Sequence, residues 1–320
     1  MALIGAGTWG KNHARVLSQL GNTKLNVICD LNEATAKTIS SQYHVEYTTN
    51  VDEALTRHDI DAVCICTPPS IHEPVAIKAI EAGKHVFVEK PMTTQAVTAS
   101  MLLNETKRHG VRLMPGHIER FNPAVSTLKA LIDEGKLGVT EFLRAQRIGQ
   151  WSERVAAVGI IFDTTIHDVD IARFIFQDEV TEVCAHAANI KHLGLGHDSK
   201  PDYVEGVIHF SHHGIAVLHS NWLTMQKARS MVVSGSVATA NLDFMAKEVL
   251  LETVEGPLKL QVTIAEPLTL ELSHFADCIL HDKPFIVNAE DGVRAVEVCE
   301  AMGKSGDEHR PVCLQSLPTA

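Results

Sequence analysis

The feature that most constrains this chain is GAGTWG, Gly5 to Gly10, set between an apolar run (ALI, 2–4) and a helical pattern that begins near Lys11. Three glycines at this spacing allow a tight turn, close approach of the backbone to a pyrophosphate, and close packing of a helix on a strand. The helix start then offers free amide donors and a positive partial charge to an anion. Asp30 follows Gly10 by 20 residues, at the end of the next apolar run, Leu25 to Cys29. An acidic residue there accepts hydrogen bonds from an adenosine ribose and repels a 2′-phosphate. The pattern predicts a dinucleotide site that prefers NAD to NADP. Only Met1 to Ile4 precede Gly5, so the first strand is shorter than usual for a central one.

The rest of the first third supports this reading. DAVCIC (61–66), HVFV (85–88) and VRLM (111–114) alternate with helical stretches closing on Gly83 and Gly110. Asn50 followed by Glu53 opens a short helix as a capping-box variant. Strands alternating with helices of this length predict a parallel sheet of βαβ units. After His117 the pattern changes. A helix is expected over 123–134 and another over 161–176, among β-like runs at 141–148, 180–187, 203–210, 215–221 and 230–236. Ser211-His212-His213-Gly214 reads as a hairpin loop. Two helical stretches, near 268–281 and 290–303, close the chain. The expected fold is α/β: an N-terminal Rossmann domain over 1–118, then a substrate-binding and oligomerisation domain over 119–320 with an open, mostly antiparallel sheet and helices on one face.

Composition narrows the function classes. At 320 residues the chain is long enough for two cores. Its net charge of −11 and 5% aromatic content disfavour nucleic acid or an anionic membrane as partner. No apolar run approaches the roughly 18 residues that span a bilayer. Seven scattered cysteines argue against a disulfide scaffold, and the expected location is cytoplasmic. Cys64 and Cys66 read as core thiols, and no metal-ligand spacing stands out among the 18 histidines.

Chemistry is carried by two sets of residues. TPPSIH (67–72) and EKP (89–91) each follow a strand, at the sheet end where ligands bind in such folds. Lys90 can therefore bond a reacting oxygen and stabilise developing negative charge. Asp163 and His167 are four apart, so on a helix they share a face. Histidine titrates near neutrality and suits the proton transfer that accompanies hydride loss from an alcohol, and Asp163 can orient the imidazole or bind a neighbouring hydroxyl. Arg144 and Arg147 are three apart on a strand, so at most one of them faces a substrate.

GAGTWG with His13, TPPSIH, EKP, GHIERFNPA (116–124), DTTIHDVD (163–170) and the closing segments 266–279 and 290–301 together resemble the glucose–fructose oxidoreductase/inositol dehydrogenase (Gfo/Idh/MocA) family over nearly the whole chain. The resemblance implies hydride transfer between NAD and a sugar or cyclitol hydroxyl, with Lys90, Asp163 and His167 as the catalytic set and His167 as the general base. It implies cofactor contacts from Gly5, Gly7, Thr8, Trp9, Gly10, Asp30, Thr67, Pro68, His72, Glu89 and Lys90, with Trp9 either covering the cofactor or packing beneath it. The resemblance is greatest to the branch that oxidises C3 of UDP-N-acetylglucosamine, which makes Arg120, Asn122 and Arg147, with Asp163 and His167, the candidates for holding the sugar or its diphosphate. Ala157 stands where that branch often carries an acidic residue. The alternatives are an inositol or free-sugar dehydrogenase on the same scaffold, or a non-catalytic NAD-binding sensor. A homodimer or homotetramer is expected through the open sheet face, where Val207 and Val217 need cover.

Overall fold

The computed structural model describes residues 1–151, 158–191, 200–212 and 214–314; Ala157 and His213 lie outside them. The chain divides into two compact units, one of 1–118 with 266–296, the other of 119–265 with 297–320.

In the first unit β1 (Ala2–Ile4) leads through the glycine turn into α1 (Gly10–Gln19). Then come β2 (Val27–Cys29), α2 (Glu33–Tyr43), β3 (Glu46–Thr48), α3 (Val51–Leu55), β4 (Ala62–Ile65), α4 (His72–Glu81), β5 (His85–Glu89), α5 (Ala96–His109) and β6 (Leu113–Gly116). The six strands are parallel, in the order β3-β2-β1-β4-β5-β6. β1 is central although only three residues long, and Ala2, Leu3 and Ile4 are fully buried between β2 and β4. The strand order reverses at β1/β4, the point where open parallel sheets of this kind bind ligands. Local signals set the helix ends: Asn32 and Asn50 accept amide hydrogens at the starts of α2 and α3, and Gly110 closes α5 at φ +65°. β3 has no apolar run to announce it. It is an edge strand whose Glu46 and Tyr47 are exposed.

In the second unit α6 (Pro123–Asp133) is followed by β7 (Thr140–Gln150), a π-helical turn at Ile161–Thr165, α7 (Ile166–Phe176), β8 (Val180–Ala188), β9 (Tyr203–Phe210), β10 (Ile215–Asn221), β11 (Leu223–Gly235), β12 (Thr239–Asp243), β13 (Glu248–Thr253) and β14 (Gly256–Leu260). α8 (Pro267–Leu280), α9 (Ala289–Glu308) and β15 (Val312–Cys313) complete the chain. The nine-stranded sheet runs β14-β13-β12-β11-β7-β10-β9-β8-β15. All its pairings are antiparallel except β7 with β10. α6 packs against β12 and β13, and α7 against β7 and β10, so these helices cover one face. The expected β9–β10 hairpin forms, with Val207 opposite Val217. Among the described residues no helix is long and apolar enough to cross a membrane.

The expected division placed everything after 118 in one domain, but the stretch 266–296 returns to the first unit. The reason is packing. α8 buries Leu272 and Phe275, and Phe275 meets Phe87 of β5 edge-on at 5.8 Å. Asn22, beyond α1, donates to Asp277 at 2.7 Å.

Candidate active site

The glycine turn is built by exclusion of side chains. Gly5 sits at φ +91°, and a Cβ there would lie 2.7 Å from the Cys66 carbonyl; one on Gly10 would lie 2.0 Å from the Gly5 oxygen. Gly7 is different: among the described residues nothing lies within 4 Å of the place its Cβ would take, so this side of the turn is open. Asp30 binds the turn directly. Its Oδ2 accepts the Ala6 N–H at 2.7 Å and its Oδ1 the Asn32 N–H at 2.9 Å. A carboxylate has about four lone-pair sites, so acceptor capacity for a ribose remains. At the end of β4 the buried Thr67 hydroxyl has no hydrogen-bond partner among the described residues. An open glycine, amides at a helix start, an acidic strand end and an orphaned hydroxyl fit a dinucleotide.

Behind the turn lies Glu89. Its Oε1 accepts from the Trp9 indole at 2.7 Å and pairs with His13 Nε2 at 2.9 Å, while its Oε2 accepts the Lys90 N–H at 3.2 Å. Burial works to strip the proton from His13, but Cys64 and the Glu89 carboxylate outweigh it and hold the imidazole up at about 9. Burial likewise opposes ionisation of Glu89, and His13 overcomes it and brings the carboxyl below its usual range. Glu89 and His72 were expected to touch the cofactor. Both are buried and engaged within the protein instead. The two ring nitrogens of His72 face the Pro91 and Thr67 carbonyls, each at 2.8 Å, so this histidine braces the loops that carry Thr67 and Lys90. Trp9 is anchored through its indole nitrogen and keeps 37% of its surface exposed. His13, Cys64 and Cys66 bring ligand-type atoms within 4.8 Å of one another. A protonated His13 paired with Glu89 offers no lone pair, and the cluster reads as core.

In the second unit the helix expected over 161–176 begins as a π-helical turn, so Asp163 lies on a wider coil than His167, which is on α7. Thr164 donates to Asp163 at 3.2 Å and accepts from the Trp222 indole at 3.2 Å. Asp163 and His167 are half-buried, whereas Asp168 and Asp170 beside them are buried. Lys90 of the first unit is half-buried too.

The expected substrate contacts are placed differently. Arg120 is buried, with Nε and Nη2 donating to the two oxygens of Asp170 at 2.8 and 2.7 Å. Arg147 is buried and donates to Asp168 and Glu119, each at 2.7 Å. Asn122 caps α6 through Ala124 N–H and donates to Glu119 at 2.9 Å. Burying a charge requires a partner, and the acids of HDVD supply it. These three residues are scaffold to α7 rather than free recognition groups. Burial raises the Asp168 carboxyl even against Arg147; for Glu119 burial is outweighed by Arg147, and the carboxyl falls. Arg144 is exposed while Arg147 is buried, as alternation on β7 requires. Sequence reading passed over Arg229 of β11, the register partner of Arg147, because a lone arginine in a strand carries no local signal.

Comparison with known proteins adds to this picture. Residues 1–117 match the model of an oxidoreductase family with an NAD-binding Rossmann fold, and residues 125–241 match that of the GFO/IDH/MocA C-terminal domain. An inositol 2-dehydrogenase of Rhizobium meliloti (strain 1021) is 28% identical, with 98% of each chain covered. A scyllo-inositol 2-dehydrogenase (NAD(+)) of Bacillus subtilis (strain 168) is also 28% identical, covering 98% of this chain and 95% of its own. Among solved structures, UDP-N-acetylglucosamine 3-dehydrogenase from Acidithiobacillus ferrooxidans superimposes with a TM-score of 0.88 at 23% identity, covering 96% of this chain and 97% of its own, a likeness of fold.

Proposed function

The chain belongs to the GFO/IDH/MocA family of NAD-binding oxidoreductases, which act on CH–OH groups of sugars and cyclitols, and from that premise we propose that it oxidises C3 of a UDP-N-acetylhexosamine. The observation that carries the catalytic reading is the state of Asp163 and His167. Both keep access to solvent while every acid next to them on α7 is buried and paired. NAD, when bound, supplies the hydride acceptor. Gly5, Gly7, Thr8, Gly10, Asp30, Thr67 and Pro68 of the first unit would hold it, and residues of the second unit would hold the sugar. His167 takes the proton from the reacting hydroxyl, Asp163 orients the imidazole or binds the adjacent hydroxyl, and Lys90 stabilises the developing negative charge. The full-length likeness to inositol dehydrogenases favours a second reading, oxidation of a cyclitol or free sugar by the same residues. A screen for NADH formation over UDP-sugars, inositols and free aldoses separates the two. Turnover of inositols alone defeats the first reading.

We also infer self-association. The face of the nine-stranded sheet opposite α6 and α7 carries Phe142, Val207, Val217, Val232 and Leu250, all half-buried, with Val207 and Val217 paired across strands. An apolar face of this kind normally marks an interface, here a homodimer or homotetramer. Light scattering that finds a stable monomer in dilute solution overturns this.

A further inference from the structure

Three cations stand in a row on the helix-covered face of the β7/β11 pair. Arg147 and Arg229 are register partners. Gly149, two residues after Arg147 and so on the same face, would meet the Lys227 stem at 3.7 Å if it carried a Cβ. Their charges are compensated unequally. Arg147 bonds two carboxylates, yet its buried Nη2 has no hydrogen-bond partner among the described residues. Among the described residues, Arg229 pairs only with the Glu119 oxygen already bonded to Arg147, and at 3.7 Å. Lys227 is exposed and makes no ion pair among the described residues.

The row repels itself. Burial first, and then Arg147, depress the Arg229 guanidinium; Arg229 in turn depresses the Lys227 ammonium. Asp163 acts in the opposite direction on Arg229, so that guanidinium lies within electrostatic reach of Asp163. Like charges held together beside a reaction centre, with their nearest carboxylate already shared, are stabilised by an added anion.

We propose that Lys227 and Arg229 form an anion subsite for the substrate, holding a phosphate or carboxylate carried by the sugar whose hydroxyl is oxidised. The inference rests on the dehydrogenase reading and sharpens it, because a neutral cyclitol would leave the subsite without a charge to hold. The arginine fork suits two oxygens of such a group, and the lysine acts as a point charge.

Calorimetry on the NAD-loaded protein tests it with UDP-N-acetylglucosamine, UDP, D-glucuronate and myo-inositol as probes. At least one anionic probe should bind more tightly than myo-inositol. Lys227→Gln, at an exposed position, should weaken that probe by about tenfold and flatten its salt dependence, without changing NAD affinity. Weakening of both UDP probes identifies a phosphate, and weakening of glucuronate alone a carboxylate. Arg229→Gln should weaken the same probe further, with circular dichroism showing that the fold is retained. The proposal is overturned if no anionic probe outbinds myo-inositol, or if Lys227→Gln leaves the anionic probes unchanged or weakens myo-inositol equally. Retained anion binding with no NADH formation from any sugar would instead defeat the dehydrogenase reading and leave the subsite standing.

Discussion

The glycine turn of the first unit and the α7–β7–β11 region of the second are built in opposite ways. The turn is made of backbone, with specificity in what is missing: no Cβ at Gly5 or Gly10, and open space at Gly7. The α7 region is made of charged side chains, with Arg147 and Arg120 buried against Asp168, Glu119 and Asp170. A backbone site is fixed by sterics and is intolerant at a few positions. An ion-pair site is fixed by mutual compensation, so losing one member leaves an unpaired charge in the interior. Both units share one device, a buried charged hub beside half-buried polar groups: Glu89 with His13 in one, Arg147 with its carboxylates in the other.

The largest effect should come from separating working group from hub in the second unit. His167→Ala should lower kcat by roughly 10²–10⁴-fold on the true substrate while the melting temperature stays nearly constant. Near-normal kcat would move the base assignment to Lys90. Asp168→Ala, one residue along α7, should do the reverse. It unpairs one side of Arg147 and should cost about 3 kcal/mol of stability, at the low end for a broken buried pair because Glu119 remains. Chemical denaturation that shows no loss would mean the network is not a scaffold.

In the first unit the hub can be read through pH. The folded His13 pKa lies above its unfolded value of 6.5, so its stabilisation is fully present below 6.5 and is lost as pH rises through about 9. The loss should be on the order of 3 kcal/mol between those limits. His13→Gln should flatten the profile, and an unchanged slope in the variant would exclude His13 as its source. The smallest effect tests the backbone site alone. Gly7→Ala meets no atom within 4 Å, so the fold should be unperturbed while NAD binding weakens by about tenfold, because that methyl intrudes where the pyrophosphate approaches. Unchanged NAD affinity would show that Gly7 does not face the cofactor.

What could be read in advance follows the same contrast. The parallel sheet and the turn were legible because their signals are local: apolar runs, helix-ending glycines, and Asp30 at a fixed distance from Gly10. The π-helical start of the 161–176 helix was not, since the sequence period there is compatible with an α-helix. β3 escaped because an exposed edge strand carries little hydrophobic pattern. Arg120, Asn122 and Arg147 looked like substrate contacts because a sequence shows charge and not its partner. Pairing across 50 residues, as between Arg120 and Asp170, has no local signature.

The sequence by itself determined the Rossmann unit and its glycine turn, because short-range sterics and hydrophobic periodicity are sufficient for them. Residue type alone makes Lys90, Asp163 and His167 the residues proposed for proton handling. Only the tertiary structure decided which charges are consumed internally and which remain available. It buried Arg120, Arg147, Glu89 and His72 in internal contacts and left Arg229 and Lys227 under-compensated. It also returned 266–296 to the first unit through Phe275 on Phe87. The physical reason is desolvation: a buried charge or an apolar helix face takes whatever partner the folded chain brings to it, and that partner is distant in sequence.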